Sequence, residues 1–289
     1  MQYAMLTVAA VLLAAEFSIN RVYQRRAGVS PEAGFGFNSM FGLFWAVIFF
    51  VLNGFKVSFS PYSFAMAAAM SMLVMVYNII GFRFLKRGAM ALYTLFLMSG
   101  GMLVPYIWGI LFLGEPCTVL HTAAVLIILV GVVLANVSRE KADFRLILMC
   151  AAVFLLNGFC SVVSKLHQIE ADFVTVGTAD FVILNGSFKF FFAGILWFFA
   201  RRQREEGEPS PLRGRVLPII AASAAVGGIS YVLQLLGAKT LPATVLYPFI
   251  TGGSIVFSTL AGWLIFKDKL SKQLVSGIIL CVIGTVMFL

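Results

Sequence analysis

The chain has 289 residues, of which 61% are hydrophobic and 11% charged, and its mean hydropathy is +0.99. Soluble domains carry about 25% charged residues, so a water-coated globule of this size is excluded and lipid is the main solvent. The net charge of +9 would suit a nucleic-acid binder, but the basic loops lack interleaved aromatic residues and that class is excluded too.

A hydrocarbon layer of about 30 Å takes roughly 20 apolar residues of helix. Ten stretches qualify: 3–20, 35–53, 62–82, 89–112, 118–137, 145–165, 176–200, 215–237, 243–266 and 272–289. None alternates polar and apolar residues as a barrel strand would, so helices are expected throughout. The first stretch lacks a basic leader and a clear cleavage site and is expected to remain as a span. It carries Glu16 near its middle and Asn20 towards its end. A carboxylate at mid-bilayer is costly, which makes an intramembrane ionisable residue a functional hypothesis by default. Glu16 is therefore a candidate proton-coupling group, or else a structural hydrogen-bond or ion-pair partner. The second and third stretches bring Asn38 and Asn78. The fourth brings Tyr93 and Ser99-Gly100-Gly101, followed by an acidic turn at Glu115.

The sixth stretch holds Asn157. The seventh holds Asp180 near its start, then Asn185 and, four residues on, Lys189. Lysine does not reach the interface easily from mid-span. Lys189 is expected to pair with Glu16, to bind an anionic substrate group, or to titrate. The eighth stretch has Tyr231 and Gln234 on one face, and the ninth has Tyr247 and Thr251-Gly252-Gly253 with an acidic turn at Asp268. Asn38, Asn78, Tyr93, Asn185, Lys189, Tyr231, Gln234 and Tyr247 form the candidate substrate-binding set. Polar side chains in a bundle serve as helix-to-helix glue about as readily as ligands. The paired glycines suit close helix packing.

The landmarks recur. Tyr93 answers Tyr247, Ser99-Gly100-Gly101 answers Thr251-Gly252-Gly253, Glu115 answers Asp268, and Gly131 answers Gly284, at offsets of 152 to 154 residues. Asn38, Phe41 and Ala46 likewise answer Asn185, Phe188 and Ala193, and Asn78 and Gly81 answer Gln234 and Gly237. Two repeats follow, 1–143 and 144–289, with five helices each. Five is odd, so the second repeat enters the membrane in the opposite sense. That is the inverted-topology plan of many secondary transporters, with the site near the midplane between repeats.

The charges fit ten spans. The loops after helices 1, 3, 5, 7 and 9 share one side and carry 17 Lys and Arg residues, against Lys56, Lys165 and Lys239 on the other side. This bias places the first side in the cytoplasm and both termini outside a plasma or inner cell membrane. The cysteines, Cys117, Cys150, Cys160 and Cys281, lie in or beside apolar runs without CxxC spacing and are read as small buried hydrophobes. His121 and His167 have no metal-ligand neighbours. No nucleotide-binding or hydrolase motif is present, so neither an enzyme nor a cofactor is expected. Asn136-Val137-Ser138 fits a glycosylation acceptor but falls at a cytoplasmic helix end.

The repeated helix 4 and helix 9 signatures, with their acidic turns and the glycine-bearing last helix of each half, resemble the drug/metabolite transporter superfamily, in its ten-helix members with two EamA-type repeats. Tyr247, Thr251 and Gly252 also resemble the third helix of the small multidrug resistance proteins, which likewise carry one glutamate in their first helix. The resemblance implies a central cavity, alternating access and transport of small organic solutes, often export coupled to protons or to a second solute. It implies a small-molecule substrate (metabolite, amino acid or drug-like), a lipid bilayer and protons as partners, and a monomer or homodimer. Many ten-helix relatives place both termini in the cytoplasm, and the charges here point the other way. A flippase for a lipid-linked head group is the other reading, and would need a lateral opening and a larger basic pocket.

Overall fold

The computed structural model describes residues 2–87, 90–136, 144–202, 212 and 214–289. Ten helices follow one another: α1 (Gln2–Ala27), α2 (Pro31–Leu52), α3 (Pro61–Arg87), α4 (Met90–Phe112), α5 (Val119–Ala135), α6 (Phe144–Ile169), α7 (Thr178–Arg201), α8 (Leu217–Thr240), α9 (Ala243–Phe266) and α10 (Lys272–Val286). Each coincides with one of the ten predicted stretches. Eight are long and apolar enough to cross a membrane, whereas α5 and α10 have 17 and 15 residues. The 137–143 connection, with Arg139 and Lys141, lies outside the described residues, as does most of the basic loop between Arg201 and Arg215.

The helix starts are written in the sequence. Ser30, Thr118 and Ser271 each accept a hydrogen bond from the N–H three residues on, at 3.1–3.2 Å, which satisfies one of the four donors a helix leaves open. Thr118 and Ser271 lie 153 residues apart, at the starts of α5 and α10. The preceding turns match as well, with left-handed backbone at Gly114 (φ 64°) and Lys267 (φ 55°).

Three pairs of helices pack on one another across the two halves: α2 on α7, α4 on α9 and α5 on α10. Around them, α1 packs on α8 and α9, and α6 packs on α3 and α4. Glycines set the closest approaches. A Cβ at Gly42 would stand 2.6 Å from the Gly186 carbonyl oxygen, and one at Gly186 would stand 2.8 Å from that of Gly42, so α2 and α7 meet backbone to backbone. Gly131 and Gly277 stand in the same reciprocal relation between α5 and α10. Gly100 faces the Phe154 backbone in α6, while Gly253 faces Ala10 in α1. The paired glycines thus allow the close packing expected of them. Dispersion and small-residue fit, rather than the hydrophobic effect, hold such helices together in lipid.

Candidate functional site

A cavity of about 1110 Å³ runs into the bundle between the two halves. It reaches the surface at the end carrying Arg21, where Gln24, Gly28, Val29 and Ser30 line it and are exposed. At its inner end lie Leu235, Ala238, Tyr247 and Ile250, all buried. The mouth is at the basic end of the bundle, and the floor lies towards the opposite end. The volume exceeds the roughly 300–1,000 Å³ of ordinary ligand pockets. Helices α1 to α4 and α6 to α9 build the walls, whereas α5 and α10 contribute only Ala135, Asn136 and Leu274 at their ends.

Every candidate residue from the sequence lies on this cavity. Glu16 and Lys189 both line it, as do Asn38, Asn78, Tyr93 and Asn185, and likewise Tyr231, Gln234 and Tyr247. Several of them also hold helices together. Asn185 accepts from Ser71 Oγ at 2.8 Å, Tyr231 and Ser164 share a hydrogen bond of 2.9 Å, and Tyr247 donates to the Ser161 carbonyl at 2.6 Å. Gln234 donates to Ser230 Oγ at 3.1 Å and Asn38 to the Gly34 carbonyl at 2.9 Å. Tyr93 packs over Gly81 and against Phe84. Among the described residues, the Asn78 side chain has no hydrogen-bond partner.

Glu16 and Lys189 do not touch. Among the described residues the ion pair within reach is Arg21–Asp268. Of the roles expected for Lys189, a direct ion pair with Glu16 is not formed, and each group has its own immediate neighbours. The carboxylate of Glu16 receives one long hydrogen bond from Asn20, 3.5 Å, and packs against the bare backbone of Gly227 in α8, where a Cβ would collide with it. The ammonium of Lys189 sits 4.4 Å over the ring of Trp45 and 4.9 Å over that of Phe41. A cation held on aromatic faces is favourable by about 0.5–2 kcal/mol and needs no carboxylate. Trp45 in turn stacks on Tyr231, with centroids 5.4 Å apart and planes 9° apart.

Sequence reasoning missed this aromatic floor under Lys189. Asn38, Phe41 and Trp45 are spaced three and four apart and share one helical face, so the signal was present. Asn157, Ser161 and Ser164 form a similar stripe on α6, and all three line the cavity. Asn157 donates to the Leu97 carbonyl at 2.7 Å. Ser161 donates to the Gly101 carbonyl at 3.3 Å, the group that Pro105 leaves without its helical partner.

Other marked residues lie elsewhere. Asp180, in the first turn of α7, accepts from Asn53 Nδ2 at 2.7 Å and does not line the cavity. Lys165, counted as a loop charge, is buried near the end of α6, where it donates to the Ala238 and Leu241 carbonyls at 2.8 and 2.7 Å. His167 bonds to Ser63 and His121 stacks on Phe288, and no metal-binding group of His, Cys, Asp and Glu occurs among the described residues. Cys160 lines the cavity, and Cys117 is exposed rather than buried. Beside the mouth, Asp268 pairs with Arg21, whose guanidinium holds the carboxyl below its ordinary range.

The model of the EamA-like transporter family matches residues 144–289, half of the chain. The chain belongs to the EamA-like transporter family. Its members are membrane transporters rather than enzymes, and this protein is accordingly a multi-pass membrane protein of that kind. A solved structure described only as "Crystal structure of protein" matches with a TM-score of 0.75 at 18% identity, over 99% of this chain and 95% of that one. At that identity the likeness concerns the fold. No curated protein matches the chain.

Proposed function

We propose that this EamA-family protein is a secondary transporter that exports small organic solutes by alternating access, driven by protons or by exchange for a second solute. The observation that carries this reading is the cavity itself, which brings every polar candidate residue to one space, opens at one end of the bundle and is shut at the other. A binding site exposed to one side at a time is what alternating access requires.

In this reading Glu16 is the coupling carboxylate. Lys189, Asn38, Asn78, Tyr93, Asn185, Tyr231, Gln234 and Tyr247 contact the solute. Residues 1–143 and 144–289 are inverted-topology repeats. What supports a two-fold relation is the packing: exchanging each helix for the one five places on turns α1 on α8 into α6 on α3, and α1 on α9 into α6 on α4, while α2–α7, α4–α9 and α5–α10 exchange with themselves; the odd number of helices in each repeat supplies the inversion. The mouth faces the cytoplasm if the Lys and Arg bias sets the orientation.

The test is flux into proteoliposomes under an imposed pH gradient, screened over amines, amino acids, nucleosides and vitamins. For the solute that moves, Glu16→Gln is expected to abolish gradient-driven flux and to leave solute exchange in place. Gradient-driven flux at the wild-type rate in that variant would remove Glu16 from the coupling role.

A further inference from the structure

Glu115 and Asp268 stand 153 residues apart in turns of the same construction. Each follows a left-handed residue, Gly114 or Lys267. Each donates its N–H to a glycine carbonyl six residues earlier, Gly109 or Gly262, at 3.0 and 3.1 Å. Each carboxylate lies where a Cβ on that glycine would stand. The backbone construction of the two turns is the same, the side chains differing by the one methylene that separates glutamate from aspartate.

Their partners nevertheless differ. Glu115 accepts the N–H groups of Ala243 and Thr244, the first two residues of α9, at 2.7 and 2.8 Å. A carboxylate there satisfies open donors and meets the positive end of the helix dipole. The same register assigns Asp268 to Met90 and Ala91, the first two residues of α4. Asp268 instead binds Arg21 of α1, with Nη2 to Oδ1 at 2.7 Å. The difference follows the cavity. Arg21, Gly262 and Phe266, which surround Asp268, line its mouth, and no residue of the Glu115 turn lines it.

We propose that Glu115 and Asp268 are reciprocal latches on the two gates. A latch bound to the start of the opposing helix shuts its end, and a latch turned away leaves its end open. In the opposite conformation Asp268 leaves Arg21 for the Met90 and Ala91 N–H groups and shuts the basic end, while Glu115 releases α9. Lys165, which donates to the Ala238 and Leu241 carbonyls just before the start of α9, is a cation placed to receive it. Each carboxylate then keeps charged or dipolar donors in both states, so neither state strands a buried charge, and the two states stay close in energy. The proposal rests on the alternating-access reading.

The experiment places Thr251→Cys, on the cavity wall, in full-length protein whose four native cysteines are replaced, and labels it with an impermeant thiol reagent from either face of membrane vesicles. Removing a latch's charge weakens the shut state of its own end more than the other, because there it loses two helix-start bonds, whereas its other partner is either more than a third exposed (Arg21) or already bonded to carbonyls (Lys165). Glu115→Gln is therefore expected to raise labelling from the Glu115 side by about fivefold, and Asp268→Asn to lower it by a similar factor. Labelling from both faces that neither variant moves, or that both move in the same direction, would overturn the latches and leave alternating access standing. Labelling from one face alone in every variant would overturn both. A second readout is independent of the charges. Met90→Cys with Lys269→Cys, which leaves Asp268 in place, is expected to cross-link through a short bifunctional thiol reagent, as is Ala243→Cys with Pro116→Cys, which leaves Glu115 in place. Linking of the second pair without the first would also overturn the proposal.

Discussion

Lys189 rests its ammonium on two rings, and Glu16, on the same cavity, forms no direct ion pair with it, the two charges acting on each other only through space. This decides what their replacement costs. Removing one member of a directly bonded buried pair costs about 3–5 kcal/mol, because the other is stranded. Here the amine keeps Trp45 and Phe41 whatever becomes of Glu16. Glu16→Gln is therefore expected to lose well under that amount, with a melting temperature in detergent close to that of the wild type. Lys189→Met is expected to lose about 0.5–2 kcal/mol, the worth of a cation on an aromatic face. The double variant should depart from the sum of the two changes only by the through-space attraction of the two charges, well short of the cost of a broken direct pair. A Glu16→Gln protein that unfolds, and that Lys189→Met restores, would show that the two charges depend on each other directly.

The α2–α7, α5–α10 and α4–α6 contacts are places where two helices come too close for any side chain. At Gly42 a Cβ would meet backbone atoms of Gly186 and Phe190 at 2.6 Å, and backbone does not rotate aside as a side-chain tip does. Overpacking of this kind typically costs about 1–3 kcal/mol. Gly42→Val is expected to cost at least that, seen as reduced folded yield and a lower melting temperature on size-exclusion chromatography. Gly131→Val should behave in the same way, because it meets Gly277 and Cys281 across the α5–α10 contact. Gly214→Ala is the control, since nothing lies within 4 Å of the added carbon. Equal stability of all three variants would mean that these contacts do not hold the halves together.

The orientation of the whole bundle rests on the distribution of its charges. The basic loops join odd helices to even ones, and in the proposed orientation the α9–α10 turn is cytoplasmic and the α2–α3 connection outside. In a cysteine-free background, Lys267→Cys should react with an impermeant reagent only after the cells are opened, and Lys56→Cys should react in intact cells. The reverse pattern would turn the molecule over, place the cavity mouth outside and make import the more natural direction. It would leave the latch proposal untouched, because that proposal refers each acid to its own gate.

The number, type and approximate bounds of the helices were legible because a membrane leaves the chain few options. Every backbone group must be satisfied within its own segment, so apolar runs of spanning length become helices and their polar residues turn inward. That is why Glu16, Lys189 and the seven other candidates, scattered over seven helices, could be named together before any contact was known. The repeated Gly109–Glu115 and Gly262–Asp268 segments fixed the two turns for a related reason, since left-handed backbone and an N-cap are local requirements. The partner of each charge could not be read in this way. Whether Lys189 meets Glu16 or Trp45, and whether an acid in one turn takes a helix start or an arginine, depends on distances between segments far apart in sequence. Those distances differ at the two ends of one cavity even where the turns share one backbone construction.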